Sequence, residues 1–160
     1  MSPNLFIMRH GEAAPGVPDS SRRLTAQGEQ EAITMASWMA RRQSRGQLEA
    51  LRVIASPYTR AQQTANAVAQ ALGTRVATHP GITPEDAPQA VCDWLVAQEG
   101  DLLLVSHMPL VGALTGLLVE GRADRGFGFP TAAIAELEAD VWAAGCARLT
   151  RFTEPRQLQG

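Results

Sequence analysis

Apolar and polar positions along the chain fall into two rhythms. Short apolar-rich runs stand at 5–8, 51–55, 76–78 and 102–105, those at 5–8 and 102–105 unbroken and that at 51–55 interrupted by Arg52. An unbroken Leu/Val run such as 102–105, with no alternation, is what a strand covered on both faces looks like. Between these runs apolar residues recur at helical spacing: Ile33, Ala36, Met39 and Ala40 within 30–42, and Ala90, Val91, Trp94, Leu95 and Ala97 within 89–98. Punctuation agrees with both periods. Thr25 is placed to cap the first helix, Ser56-Pro57 opens a second over 57–72 that Gly73 stops, and Met108-Pro109 opens a fourth running to 119. Residues 13–23 carry Pro15, Gly16 and Pro18 and predict a loop lying over the end of the first strand. Glycine dominates 121–130, a second loop. Two more strands, 132–137 and 147–152, flank a turn at 143–145, and the polar tail from about 154 is expected to fray.

Strand and helix thus alternate from 5 to 119, which predicts a three-layer α/β/α fold: a largely parallel central sheet with helices on both faces, and an antiparallel strand pair at one side. One domain over 1–160 is expected, without repeats. In such sheets ligands bind at the carboxyl ends of the strands, so the residues that end each apolar run are the ones to inspect.

Composition removes several function classes. The net charge of −2 and the lack of a basic block argue against binding nucleic acid by bulk electrostatics. Cys92 and Cys146 stand far apart, so neither a zinc knot nor a redox pair is expected, and each reads as a small buried hydrophobe. No apolar run reaches the length of a bilayer span, and the N-terminus lacks the basic region of a signal peptide. A soluble cytoplasmic protein with no membrane association is expected.

The first strand ends in Arg9-His10-Gly11, the second runs through Ser56-Pro57 into Arg60, and the Leu-rich strand ends in Ser106-His107. Parallel neighbours would bring two arginines and two histidines to one edge of the sheet. Fixed positive charge beside imidazoles suits an anion with several oxygens, and phosphate best, because guanidinium binds it bidentately. A neutral imidazole can attack phosphorus and form a phosphohistidine that water later hydrolyses, while the second imidazole stabilises the equatorial oxygens. His10 is the expected nucleophile, with Gly11 leaving room for the backbone's approach and a nearby carbonyl holding Nδ1–H. Arg9, Arg60 and His107 would clamp the transferred group. Two further residues have open roles: Glu12 as an acceptor for an arginine or a guide for water, and Arg22 as a substrate contact or a brace of the loop through Asp19. A metal-dependent reading is weak, because arginines beside the histidines repel a cation and no carboxylate ligand is in register. A non-catalytic phosphate-binding module is the other alternative.

Arg9-His10-Gly11, Ser56-Pro57-x-x-Arg60-Ala61-x-x-Thr64 and Ser106-His107 together resemble the histidine phosphatase superfamily, the phosphoglycerate mutase-like fold. Within it, 6–13, Arg22-x-Leu24-Thr25-x-x-Gly28, Ile82-Thr83-Pro84 and His107-x-Pro109-Leu110-Val111-Gly112 are similar to the SixA-type phosphohistidine phosphatases. The resemblance implies a nucleophile at His10 and phosphate ligands at Arg9, Arg60 and His107, with no metal and no cofactor. It also implies a partner protein bearing phosphohistidine, such as a phosphotransfer domain or a phosphocarrier protein, and inorganic phosphate as product. Many members of the superfamily carry an acidic proton donor after the second helix or directly after the second histidine. Here Met108 follows His107, 79–82 reads His-Pro-Gly-Ile, and Glu85 and Asp86 stand beyond Thr83-Pro84. An alkoxide leaving group needs a proton far more than an imidazole does, so cleavage of P–N over P–O is the expectation, with hydrolysis of small phosphate monoesters in the same pocket as the alternative. Short links between the motifs leave little room for a lid, which suits a histidine displayed on another protein.

Overall fold

A computed structural model describes residues 3–159. Six strands, β1 (Asn4–Arg9), β2 (Leu51–Ala55), β3 (Val76–Thr78), β4 (Asp101–Ser106), β5 (Ile134–Glu138) and β6 (Arg148–Thr153), form one sheet in the order β3-β2-β4-β1-β5-β6. The first four are mutually parallel, and β5 and β6 run antiparallel on the β1 side. The helices are α1 (Ala26–Ser44), α2 (Thr59–Leu72), α3 (Pro88–Val96), α4 (Leu110–Glu120) and the short α5 (Pro155–Leu158).

Two apolar layers explain why the central strands show no alternation. Successive side chains of a strand point to opposite faces. Leu5, Ile7, Ile54, Leu102 and Leu104 pack with Val91 and Leu95 of α3 and Leu110, Leu114 and Leu118 of α4. Phe6, Met8, Val53, Leu103 and Val105 pack on the other face with Met35 and Met39 of α1 and Ala61, Ala65 and Val68 of α2. Each fully buried leucine stabilises the fold by about 1.5–3 kcal/mol.

Strand β4 lies between β1 and β2 although it follows both in sequence. The chain leaves β1 for α1 on one face and leaves β4 for α4 on the opposite face. Connections diverging from adjacent parallel strands open a crevice at their carboxyl ends, and β1 with β4 makes it.

The local signals place most element ends. Thr25 Oγ1 accepts from the Gly28 amide at 2.9 Å, capping α1, and Gly73 ends α2 with φ of +73°. Helix α2 starts at Thr59 rather than at Pro57, because Tyr58 is still extended (φ −66°, ψ 141°) and serves as the N-cap, while Ser56 Oγ accepts from the Tyr58 amide and bonds the His107 ring. The tail departs from the expected fraying: Glu154 and Gln157 form a reciprocal capping box at the start of α5, and Pro155 is buried. Cys92 is buried as expected, but Cys146 is exposed, since it lies in the turn between β5 and β6.

Gly11 and Gly28 lock the end of β1 onto the start of α1. A Cβ on Gly28 would lie 2.0 Å from the Glu12 carbonyl oxygen, and one on Gly11 would lie 2.5 Å from that of Gly28. Both obstacles are backbone and cannot swing away. Gly28→Ala should therefore lower stability by about 1–3 kcal/mol through forced overpacking, read as a lower urea midpoint with an unchanged m-value.

Candidate active site

Strand pairing delivers the predicted residues to one place. Arg9 stands opposite Ser106 in the β1–β4 register, and the His10 amide donates to the Ser106 carbonyl at 3.0 Å. The His10 carbonyl in turn accepts from the Ala132 amide at 3.0 Å, so the residue past the end of β1 is pinned from both sides. The rings of His10 and His107 lie 5.1 Å apart between centroids, and the edge of Tyr58 approaches His107 at 5.0 Å. His10, Arg60 and His107 are all buried, and Arg9 is half-buried.

The hydrogen bonds set the state of each ring. His10 Nδ1 lies 2.6 Å from the Gly11 carbonyl, which can only accept, so Nδ1 carries the proton and Nε2 the lone pair. Arg60 Nε donates to that Nε2 at 3.3 Å. Burial pushes the His10 pKa down to about 4, and the charges of Arg60, Arg9 and Arg22 push the same way against the Gly11 hydrogen bond. His107 Nε2 lies 2.8 Å from Ser56 Oγ. Burial, with His10 and Arg60 nearby, holds the His107 pKa down at about 3. Both imidazoles are neutral near pH 7.

The arginines are held by main-chain oxygens. Arg9 Nη1 donates to the Phe129 carbonyl at 2.7 Å, and the 121–130 segment thereby reaches the crevice. Arg60 donates through Nη1 to the Asp19 carbonyl at 2.7 Å and through Nη2 to its carboxylate at 3.1 Å. The Gly11 amide donates to Thr64 Oγ1 at 3.0 Å, tying the turn after His10 to α2. Two buried side-chain nitrogens among the described residues have no partner: Arg9 Nε and His107 Nδ1. Arg9 Nε is a donor, and His107 Nδ1 is one when the Ser56 hydroxyl donates to Nε2; buried polar atoms without a partner are uncommon and often mark a functional site.

Arg22 and Glu12 fall elsewhere than on the two histidines. Arg22 braces the loop, donating to the carbonyls of Ala14 at 2.8 Å and Ala13 at 3.5 Å and to Asp19 Oδ1 at 3.0 Å. Glu12 accepts from the hydroxyl of the capping residue Thr25 at 2.9 Å and makes no bond to an arginine. Asp86 is occupied in its own turn, accepting from the Thr83 amide and hydroxyl at 2.7 Å, and Glu85 is exposed. His79 stacks on Trp94 at 4.2 Å, away from the other two histidines. No group of three or more His, Cys, Asp or Glu placed to hold a metal ion occurs among the described residues.

Two carboxylates near the arginines belong to no motif in the sequence. Asp19 was visible only as a possible brace for Arg22, yet it reaches Arg60 as well; its spacing three before Arg22 was the available signal. Glu31 accepts from the Glu12 amide at 2.8 Å and the Thr131 hydroxyl at 2.9 Å, and its charge acts favourably on Arg9. One helical residue joining two loops through long-range contacts leaves no local pattern.

A model of the histidine phosphatase superfamily (branch 1) matches residues 5–83. The phosphohistidine phosphatase SixA of Escherichia coli is 38% identical over 144 residues, 85% of each chain. The chain belongs to the histidine phosphatase superfamily. A SixA homolog of Haemophilus influenzae is 38% identical over 129 residues, covering 74% of this chain and 79% of the relative. Among solved structures, the protein histidine phosphatase SixA complexed with tungstate superposes with a TM-score of 0.84 at 33% identity, covering 98% of this chain and 99% of the other. The fold is thus the phosphoglycerate mutase-like one, and the likeness to SixA runs through the whole chain.

The depressed imidazoles make a prediction about stability. A histidine whose folded-state pKa lies below its ordinary 6.5 binds fewer protons folded than unfolded, so its contribution is complete above pH 6.5 and is lost as the pH falls toward 4 for His10 and 3 for His107. The urea midpoint should therefore fall as the pH is lowered through this window, and fall less steeply in His107→Asn. An equal slope in the variant would contradict the buried neutral ring.

Proposed function

We propose that this protein is a phosphohistidine phosphatase that removes the phosphoryl group from a histidine of a partner protein by way of His10. The observation that carries the reading is the pair of buried, unpartnered donors, Arg9 Nε and His107 Nδ1, in the same crevice as an imidazole whose Nε2 lone pair is free of a proton. Such a site lacks an acceptor with several oxygens. A phosphoryl group supplies one. The SixA proteins to which the chain is similar support the choice of phosphohistidine, and the matching SixA structure holds tungstate, itself a tetrahedral oxyanion.

In the proposed mechanism His10 Nε2 attacks phosphorus in line with the P–N bond, and that bond breaks as the new one forms. Its electron pair leaves with the substrate imidazole, whose other ring nitrogen carries a proton, so the ring departs neutral. Arg60 Nε, freed from His10 Nε2, turns its hydrogen to a phosphoryl oxygen, joined by Arg9 Nε and by His107 Nδ1–H. The Ser56 hydroxyl, donating to His107 Nε2, keeps that proton on Nδ1, so His107 donates while remaining neutral. The phosphoryl transition state is loose and gains from positioning and fixed charge. Water then attacks phosphorus, the P–Nε2 bond breaks with its electron pair returning to His10, and inorganic phosphate leaves with the water's oxygen, keeping one of its protons and losing the other to solvent.

Asp19, the carboxylate hydrogen-bonded to Arg60, is held below the usual carboxylate range by its hydrogen bonds from Arg22 and Arg60. It is ionised near neutral pH and has no proton to give. An imidazole leaving group tolerates that lack and an alkoxide does not, which favours P–N cleavage. The partner is a phosphorylated histidine displayed by a protein such as a phosphotransfer domain or phosphocarrier protein, met in the cytoplasm. No helix among the described residues is long and apolar enough to cross a membrane.

Purified protein should hydrolyse a phosphohistidine peptide much faster than an alkyl phosphate monoester. Arg60→Ala should lower turnover by roughly 10²- to 10³-fold, the loss expected for one oxyanion donor. Equal rates on the two leaving groups would remove the case for phosphohistidine.

A further inference from the structure

Arg60 meets its neighbours with different edges. A guanidinium has two usable forks, the end formed by Nη1 and Nη2 and the side formed by Nε and the adjacent Nη. Asp19 takes the end: its carbonyl accepts from Nη1 at 2.7 Å and its carboxylate from Nη2 at 3.1 Å. The side edge is left turned toward the nucleophile, with Nε 3.3 Å from His10 Nε2. The Tyr58 ring backs the group, with Cζ 5.1 Å from its centre. By taking both Nη atoms, Asp19 sets which edge of the guanidinium is left for His10.

Asp19 is itself anchored. Its second carboxylate oxygen accepts from Arg22 Nη1 at 3.0 Å, and its carbonyl accepts from the Arg22 amide at 3.2 Å as well as from Arg60. Arg22 is tied through Nε to the Ala14 carbonyl at 2.8 Å. A chain of contacts runs from the loop after β1 through Arg22 and Asp19 to Arg60 and ends on the lone pair of His10.

We propose that Asp19 is a positioning residue for phosphoryl transfer, holding Arg60 by its end so that the Nε edge faces the phosphorus bound at His10. This rests on the reading of His10 as phosphoryl acceptor. Arg22 acts through Asp19, which accounts for its place in the site without a substrate contact. Asp19 does this from the surface: its side chain is 56% exposed while that of Arg60 is 5% exposed. Solvent reaches the Asp19 end of the pair and the Asp19 main-chain carbonyl stays on Nη1 when the side chain is removed, so its loss should leave the fold intact and show itself in the chemistry.

The test compares wild type with Asp19→Ala and Asp19→Asn, using a phosphohistidine peptide as substrate, inorganic phosphate as inhibitor and ¹⁵N NMR of His10. Asp19→Ala should lower kcat by roughly 10- to 100-fold, the scale of a misoriented catalytic group, with a smaller change in KM and an unchanged melting temperature. Its His10 Nε2 resonance should move downfield, toward that of an imidazole nitrogen that accepts no hydrogen bond. Asp19→Asn keeps an acceptor for Arg60 Nη2 and should recover most of the turnover and of the resonance position. Unchanged kcat with an unmoved resonance would overturn the proposal. So would a rise in kcat with tighter inhibition by phosphate, which would make Asp19 a competitor of the phosphoryl group. A wild-type protein inert toward the peptide would defeat the phosphohistidine reading instead, and the ¹⁵N comparison would still decide whether Asp19 orients Arg60 against His10.

Discussion

The register of β1 on β4 forces two imidazoles and the arginine beside one of them into a single crevice, because Arg9 pairs with Ser106 and each is followed by a histidine. Everything else near the site answers to that placement. Ser56, at the end of β2, ties the His107 ring to the segment that leads into α2. Gly11 and Gly28 are bare because the turn after His10 must press against the start of α1. The 121–130 segment carries a carbonyl to Arg9, and the loop after β1 carries Asp19 to Arg60.

The electrostatic consequence is a site rich in hydrogen-bond donors and short of acceptors. Burial and the surrounding guanidinium groups keep both histidines neutral, which preserves a nucleophilic lone pair on His10. The arginines remain charged, and they are oriented by carbonyls that align them without cancelling their charge. Asp19 offsets part of that charge at the far end of Arg60, where it does not stand between the guanidinium and the nucleophile. A pocket with this balance binds a phosphoryl group and stabilises charge developing on its oxygens. The carboxylate bonded to Arg60 is ionised, so the site is suited to a leaving group that departs without a donated proton.

Much of this was legible in the sequence, for local reasons. Buried parallel strands write themselves as apolar-rich runs, so β1, β2 and β4 and the residues at their ends could be read directly. Thr25, Gly73 and the turn before β6 act through neighbours in sequence. The motifs at Arg9-His10, Arg60 and Ser106-His107 then needed only parallel pairing to converge. What stayed hidden depends on distance in space. Asp19 reaches Arg60 across 41 positions, and Glu31 reaches Thr131 across 100. Glu12 looked like a site acid by adjacency to His10, yet its side chain turns to Thr25. The tail looked polar, but Pro155 finds a buried position near α1, and the capping box holds the turn that follows.

The central claim is that His10 carries the phosphoryl group between substrate and water. Rapid-quench reaction with a ³²P-labelled phosphohistidine protein, followed by peptide mapping, tests it most directly. The account predicts transient label on the peptide bearing His10, stable to alkali and labile to acid, appearing before inorganic phosphate. Phosphate released at full rate with no label on that peptide would show direct attack by water and contradict it.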